Sequence, residues 1–232
     1  FSKKIISLLV ASIIIAILFF ASGSKKEAAN NPVATNTQQN SNSTVNTTTT
    51  TPTPNLNQNI PITEPQKNTI AAPIGRAKER ITKKPFGIYI TRATSPVQPE
   101  KFSGYHTGVD FETFADEQKT DVPIHAICSG SVVMKKYATG YGGVAAQSCI
   151  IDAKAVTVVY GHVRLSSIQA TVGTKLTAGD VIGVLGTGYS TETDGERKHL
   201  HLGIHKGTAI NIKGYVQTKV ELDQWLDAAL YL

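Results

Sequence analysis

Cysteine, methionine and tryptophan are nearly missing from this chain: its 232 residues hold two Cys, one Met and one Trp. With two cysteines and no C-x-x-C spacing, neither reads as a metal ligand. Charge is scarce as well, at 17% Asp, Glu, Lys and Arg against 41% hydrophobic residues. The formal net charge of +6 is spread thinly, since residues 1–72 hold five bases and two acids and residues 73–232 hold eighteen and fifteen. An excess of three on each part is too small for a nucleic-acid groove, so no nucleic-acid partner is expected. A mildly basic surface is drawn weakly to anionic polymers or headgroups and fixes no partner. The composition excludes a collagen-like, coiled-coil or wholly disordered protein. The length suits one domain with a core of its own, not two large ones.

What is present is unevenly distributed. Lys3 and Lys4 precede Ile5 to Ala21, seventeen residues in which only Ser7 and Ser12 are polar. Such a run sits at the lower edge of a membrane span and just beyond a cleaved signal core, and both mean export. Ala21-Ser22-Gly23 offers a small-residue cleavage site. The long Ile-rich run, with no lipid-accepting cysteine after it, favours an uncleaved signal anchor over residues 1–24, held in the cytoplasmic membrane. From Asn30 to Asn59, 26 of 30 positions are Asn, Gln, Ser, Thr or Pro and none is charged, too little apolar surface to offset ordering entropy. Residues 25–72 therefore read as a disordered linker that holds a domain clear of the bilayer.

Residues 73–232 change character to short apolar runs between glycine-rich turns. Eight runs read as strands: Phe86–Thr91, Val109–Phe114, Ile124–Cys128, Ser131–Lys136, Ser148–Asp152, Val156–Tyr160, Val181–Leu185 and Leu200–His205. The expected fold class is all-β, a compact antiparallel sandwich or barrel. Val220, Leu222, Trp225, Leu226 and Ala229 share one face of a short closing helix expected over 219–228. Cys128 and Cys149 fall in neighbouring expected strands of an exported domain; a cross-strand disulfide and a pair of buried thiols are both open.

Four of the six histidines stand in patterns that a purely structural role does not require. In His199-Leu200-His201, residues two apart on a strand point to one face, so both imidazoles project together while Leu200 turns to the opposite, apolar side. Two imidazoles that close are costly to bury, and a shared metal or reaction centre accounts for them. His106 and Asp110, separated by a glycine-containing turn, supply one neutral nitrogen and one anionic oxygen. His and Asp ligands with an open fourth position are the pattern of a catalytic rather than structural zinc site. His162, in Tyr160-Gly161-His162, is the fourth.

These stretches, with Ile127-Cys128-Ser129-Gly130-Ser131-Val132, Gly140-Tyr141-Gly142, Leu176 to Gly183 and Gly186-Thr187-Gly188, stand in the order of a known family. Over roughly residues 86–232 the chain resembles the LytM-type, lysostaphin-like zinc metalloendopeptidases, which cleave peptide cross-links of bacterial peptidoglycan. The resemblance implies a compact antiparallel β fold around a narrow groove, with Zn2+ held by His106, Asp110 and His201 and with His162 and His199 beside it as catalytic histidines. Peptidoglycan peptides become the expected partner, and the outer side of the cytoplasmic membrane the expected location. The oligomeric state is not encoded in any of these motifs.

His205, at even spacing from His201 but some 13 Å along a strand, is expected not to ligate. His125 matches no metal motif and reads as structural. Tyr105 and Tyr160 read as packing residues. The chain departs from the family between Gly188 and His199, where Glu192, Asp194, Glu196, Arg197 and Lys198 read as a solvated loop. Two other functions fit parts of the sequence. One is a catalytically inactive wall-binding or hydrolase-activating domain of the same fold; retention of all five site positions argues against it. The other is a biotinyl- or lipoyl-type carrier, suggested by Val133-Met134-Lys135-Lys136, for which export and the histidines have no use.

Overall fold

The computed structural model describes residues 69–232. The expected signal anchor and most of the expected linker lie outside the described residues. Among the described residues no helix is long and apolar enough to cross a membrane.

Among the described residues twelve strands follow one another: β1 (Tyr89–Ile90), β2 (Gly104–His106), β3 (Gly108–Glu112), β4 (Pro123–His125), β5 (Gly130–Ala138), β6 (Gly142–Ile151), β7 (Lys154–Gly161), β8 (Lys175–Leu176), β9 (Val181–Val184), β10 (His199–Lys206), β11 (Tyr215–Val216) and β12 (Trp225–Leu226). All pairings are antiparallel. The principal sheet runs β12-β10-β7-β6-β5-β8, with β3 also on β10; β1-β2-β11 and β4-β9 form smaller sheets. Every strand expected from the sequence is present, and the fold is mostly β with short helical turns.

Strand alternation decides which face of β10 meets the core. Leu200, Leu202 and Ile204 are fully buried and join Phe111, Val158, Tyr160, Ile124 and Leu185 in one apolar cluster. Each such side chain contributes about 1.5–3 kcal/mol on burial, so a one-residue slip of β10 would forfeit three of them and turn its histidines into the core. The opposite face carries a smaller cluster of Tyr141, Val144 and Val159. Tyr160 belongs to the main core, where its hydroxyl donates to Gln147 Oε1 at 3.0 Å and accepts from Ile127 N–H at 2.9 Å.

Cys128, in the bend before β5, is bonded to Cys149 of β6, with Cα atoms 6.1 Å apart and a sequence separation of 21. Closing a loop of this length removes roughly 3 kcal/mol of unfolded-chain entropy on the loop-closure account.

The C-terminal helix is a correction. A single turn, α1 (Lys219–Leu222), forms behind a Thr218/Glu221 capping box and then stops. Trp225 and Leu226 instead pair with His205 and Ile204. On that edge of β10 the pairing with β3 ends at Gly203, and the backbone groups beyond it need a partner. That demand overrides the helical spacing, and Val220, assigned to a buried helix face, is 74% exposed.

Candidate metal centre

Four separate pieces of chain bring five side chains together, and four of them, Asp110, His162, His199 and His201, line a cleft of about 390 Å³. His106 ends β2, and the chain then leaves the small sheet and enters β3, which carries Asp110. The sequence reading placed a turn here; the structure has a corner between two sheets at Thr107, whose N–H donates to Gly214 O at 3.0 Å. His199 and His201 come from β10, and the register sets His201 opposite Asp110 on one side and Gly161 on the other. His162 follows β7 directly.

Three of these residues converge on a point. His106 Nε2 lies 3.0 Å from His201 Nδ1, and both lie 3.2 Å from Asp110 Oδ1. Tetrahedral zinc with bonds of 2.0–2.1 Å spaces its ligand atoms about 3.3 Å apart, so this triangle fits such an ion, as does its donor set of two imidazoles and one carboxylate. The outer contacts suit it too. His106 Nδ1–H donates to Pro85 O at 3.2 Å, which leaves Nε2 with a free lone pair in the neutral ring. Burial pushes His201 down to about 4, so its ring is uncharged at neutral pH. Burial alone would raise the Asp110 carboxyl, but its close contacts with His199 and His106 outweigh it and hold the group well below the usual carboxylate range.

His162 and His199 stand beside this triangle with ring centroids 4.2 Å apart. His199 Nδ1–H donates to Arg197 O at 2.9 Å, and its Nε2 faces Asp110 Oδ2 at 3.3 Å. His162 adopts a left-handed backbone at φ 61°, a strained conformation for a non-glycine residue, and its buried Nδ1 has no partner among the described residues. Burial, followed by the neighbouring His199, holds its pKa well below that of a free imidazole.

Several groups at the cleft were not singled out from sequence. Tyr141 packs its ring 5.4 Å from His162 and 5.3 Å from His201, and its buried hydroxyl has no partner among the described residues. Lys84 and Glu100 form a buried pair at 2.5 Å, with Tyr215 Oη 3.0 Å from the ammonium. The segment read as a solvated loop is in good part interior. Arg197 and Lys198 are buried, and Lys198 donates to the carbonyls of Glu117 and Thr120. Its cations sit inside because backbone and carboxylate acceptors meet them there. Only the matching G-Y-G stretch pointed to Tyr141; no local pattern marks a buried Arg. His205 packs edge-on against Trp225, and His125 Nδ1–H donates to Gly179 O at 2.9 Å, both apart from the centre.

The glycine between His106 and Asp110 has a spatial reason. A Cβ on Gly108 would stand 2.7 Å from His201 Nε2 and 2.6 Å from Leu202 O. Gly108→Ala is therefore expected to displace the His201 ring, lowering stability by about 1–3 kcal/mol and weakening metal uptake together. Denaturant titration and metal titration of the same variant check this; unchanged metal affinity would show that the ring tolerates the contact.

Residues 104–212 match the model of peptidase family M23. The chain is 36% identical over 100 residues to endolysin 2638A of Staphylococcus phage 2638A; the match covers 43% of this chain and 18% of that protein's length. Among solved structures it is similar to LytU, at 27% identity and a TM-score of 0.43, over 66% of this chain and 90% of that one. It is also similar to a putative glycyl-glycine endopeptidase LytM from Ruminococcus gnavus, at 20% identity and a TM-score of 0.39, over 62% and 55%.

Proposed function

We propose that the protein is a zinc-dependent endopeptidase that hydrolyses peptide cross-links of bacterial peptidoglycan. It works outside the cytoplasmic membrane, tethered through residues 1–24 and the linker 25–72. The observation that carries this reading is the convergence of His106 Nε2, Asp110 Oδ1 and His201 Nδ1 within 3.0–3.2 Å, with two further imidazoles alongside.

Zinc, when bound by these three residues, supplies a Lewis acid that polarises the scissile carbonyl and acidifies water. The single carboxylate leaves a net positive centre, and the uncharged His201 ring keeps a lone pair available. His162 and His199 divide the proton work: one takes the proton of the attacking water, the other hydrogen-bonds the developing oxyanion and protonates the departing amine. His199 is prepared for this because Arg197 O holds its Nδ1–H and turns Nε2 to the site. Tyr141, its hydroxyl kept protonated by burial, packs against the rings of His162 and His201 and closes that wall of the cleft.

Incubating the protein with purified sacculi, with mass spectrometry of the released fragments, tests the proposal. New amino and carboxyl termini within stem or bridge peptides are expected, abolished by a chelator and restored by zinc. Retention of the protein on sacculi with no new termini would overturn it in favour of a wall-binding domain.

A further inference from the structure

Arg197 touches both halves of the centre. Its guanidinium, 6% exposed, donates from Nη2 to Asp110 Oδ2 at 2.8 Å and to Glu112 Oε1 at 2.5 Å. Nε donates to the two Glu112 oxygens at 3.0 and 2.9 Å. Its carbonyl accepts the Nδ1–H of His199 at 2.9 Å. Asp110 is thereby divided, with Oδ1 turned to His106 and His201 and Oδ2 turned to Arg197.

We propose that Arg197 is a positioning residue that restricts Asp110 to one-oxygen metal ligation and aims His199 into the cleft. The inference rests on the zinc reading above. A free carboxylate has two equivalent oxygens, and without the guanidinium Oδ2 has two other outlets. It swings onto the metal and fills the position that water requires, or it captures His199 Nε2, now 3.3 Å away, and removes that nitrogen from proton transfer. Only a planar fork of donors bridges Asp110 and Glu112 at once; a lysine ammonium is a point charge on a flexible stem. Glu112, itself 3.5 Å from Lys83 Nζ, holds the guanidinium through Nε and Nη2.

A buried Arg between two carboxylates could also serve the fold alone, so the test reads the metal's surroundings. Arg197→Gln, Glu112→Gln and the double variant are prepared in the full chain, zinc affinity is measured by chelator competition, and Co2+ replaces zinc as a spectroscopic probe. Arg197→Gln is expected to weaken zinc binding about 10- to 100-fold and to lower the visible cobalt absorption, the signature of an added ligand. Glu112→Gln is expected to shift both readouts the same way by less, and the double variant to be no worse than Arg197→Gln. A folded Arg197→Gln protein with an unchanged cobalt spectrum and zinc affinity within about twofold of the parent would overturn the proposal. Additive losses in the double variant would also overturn it. If Arg197→Gln does not fold, Glu112→Gln decides: a parent-like cobalt spectrum there overturns the proposal. Failure of the unsubstituted protein to take up zinc or cobalt is a different result, which would overturn the metal reading itself.

Discussion

Alanine at His106, Asp110 or His201 is expected to empty the centre of zinc, the largest effect any single substitution should have on this domain. The three contributing atoms form one triangle of 3.0–3.2 Å edges, so removing a corner leaves two donors, too few to hold the ion against water. The loss should exceed the roughly 10- to 100-fold that removal of an outer partner costs. Donor chemistry alone ranks Asp110 as the most dispensable corner, because a water can replace one oxygen. Its surroundings reverse that ranking. Asp110 is 2% exposed and lies between Arg197 and the imidazoles of His106, His199 and His201. Removing it leaves a buried guanidinium facing the histidines without part of its counter-charge. Elemental analysis of purified variants, with circular dichroism to confirm the fold, measures the outcome. Stoichiometric zinc at parental affinity in His106→Ala or Asp110→Ala would remove these residues from the ligand set.

His162→Ala and His199→Ala are expected to do the opposite: keep the metal and lose turnover, roughly a hundredfold or more each. Both rings lie outside the triangle, with centroids 4.2 Å apart. His199 is held through Nδ1 by Arg197 O, so its loss removes an oriented group and leaves the three ligand atoms in place. His162 occupies a left-handed backbone position; alanine there keeps that strain and removes only the imidazole. Turnover on sacculi and zinc content, measured on the same preparations, separate the two classes. Zinc lost from His199→Ala but retained in His201→Ala would mean that ligand and catalyst are exchanged within the H-x-H pair.

The strands were legible wherever apolar residues alternate, and poorly so where packing requires small ones. β6 begins at Gly142, six residues before the run that reads as a strand, because Gly143, Ala145 and Ala146 carry little β signal. The reason for glycine there is tertiary: a Cβ on Gly143 would lie 1.8 Å from Val163 O. The closing segment failed for a related reason. Helical spacing is a local property, whereas the open edge of β10 that captures Trp225 and Leu226 belongs to a strand twenty residues earlier.

By itself the sequence determined the things that follow from local order: an antiparallel β domain, His199 and His201 on one face of β10 with Leu200 on the other, and a donor chemistry of imidazoles and one carboxylate. Tertiary structure alone decided which of two open states the cysteines adopt, that Tyr141 and not Tyr160 walls the cleft, and that the charged segment before His199 turns inward. It also brought Arg197 onto Asp110, 87 positions away in sequence. The physical reason is one of range. A period of two residues sets the face on which a side chain emerges, and the chain carries it locally. Which groups meet across that face depends on strand register and on burial. These are settled when apolar surface distant in sequence leaves water together and every charge taken inside must find its partner.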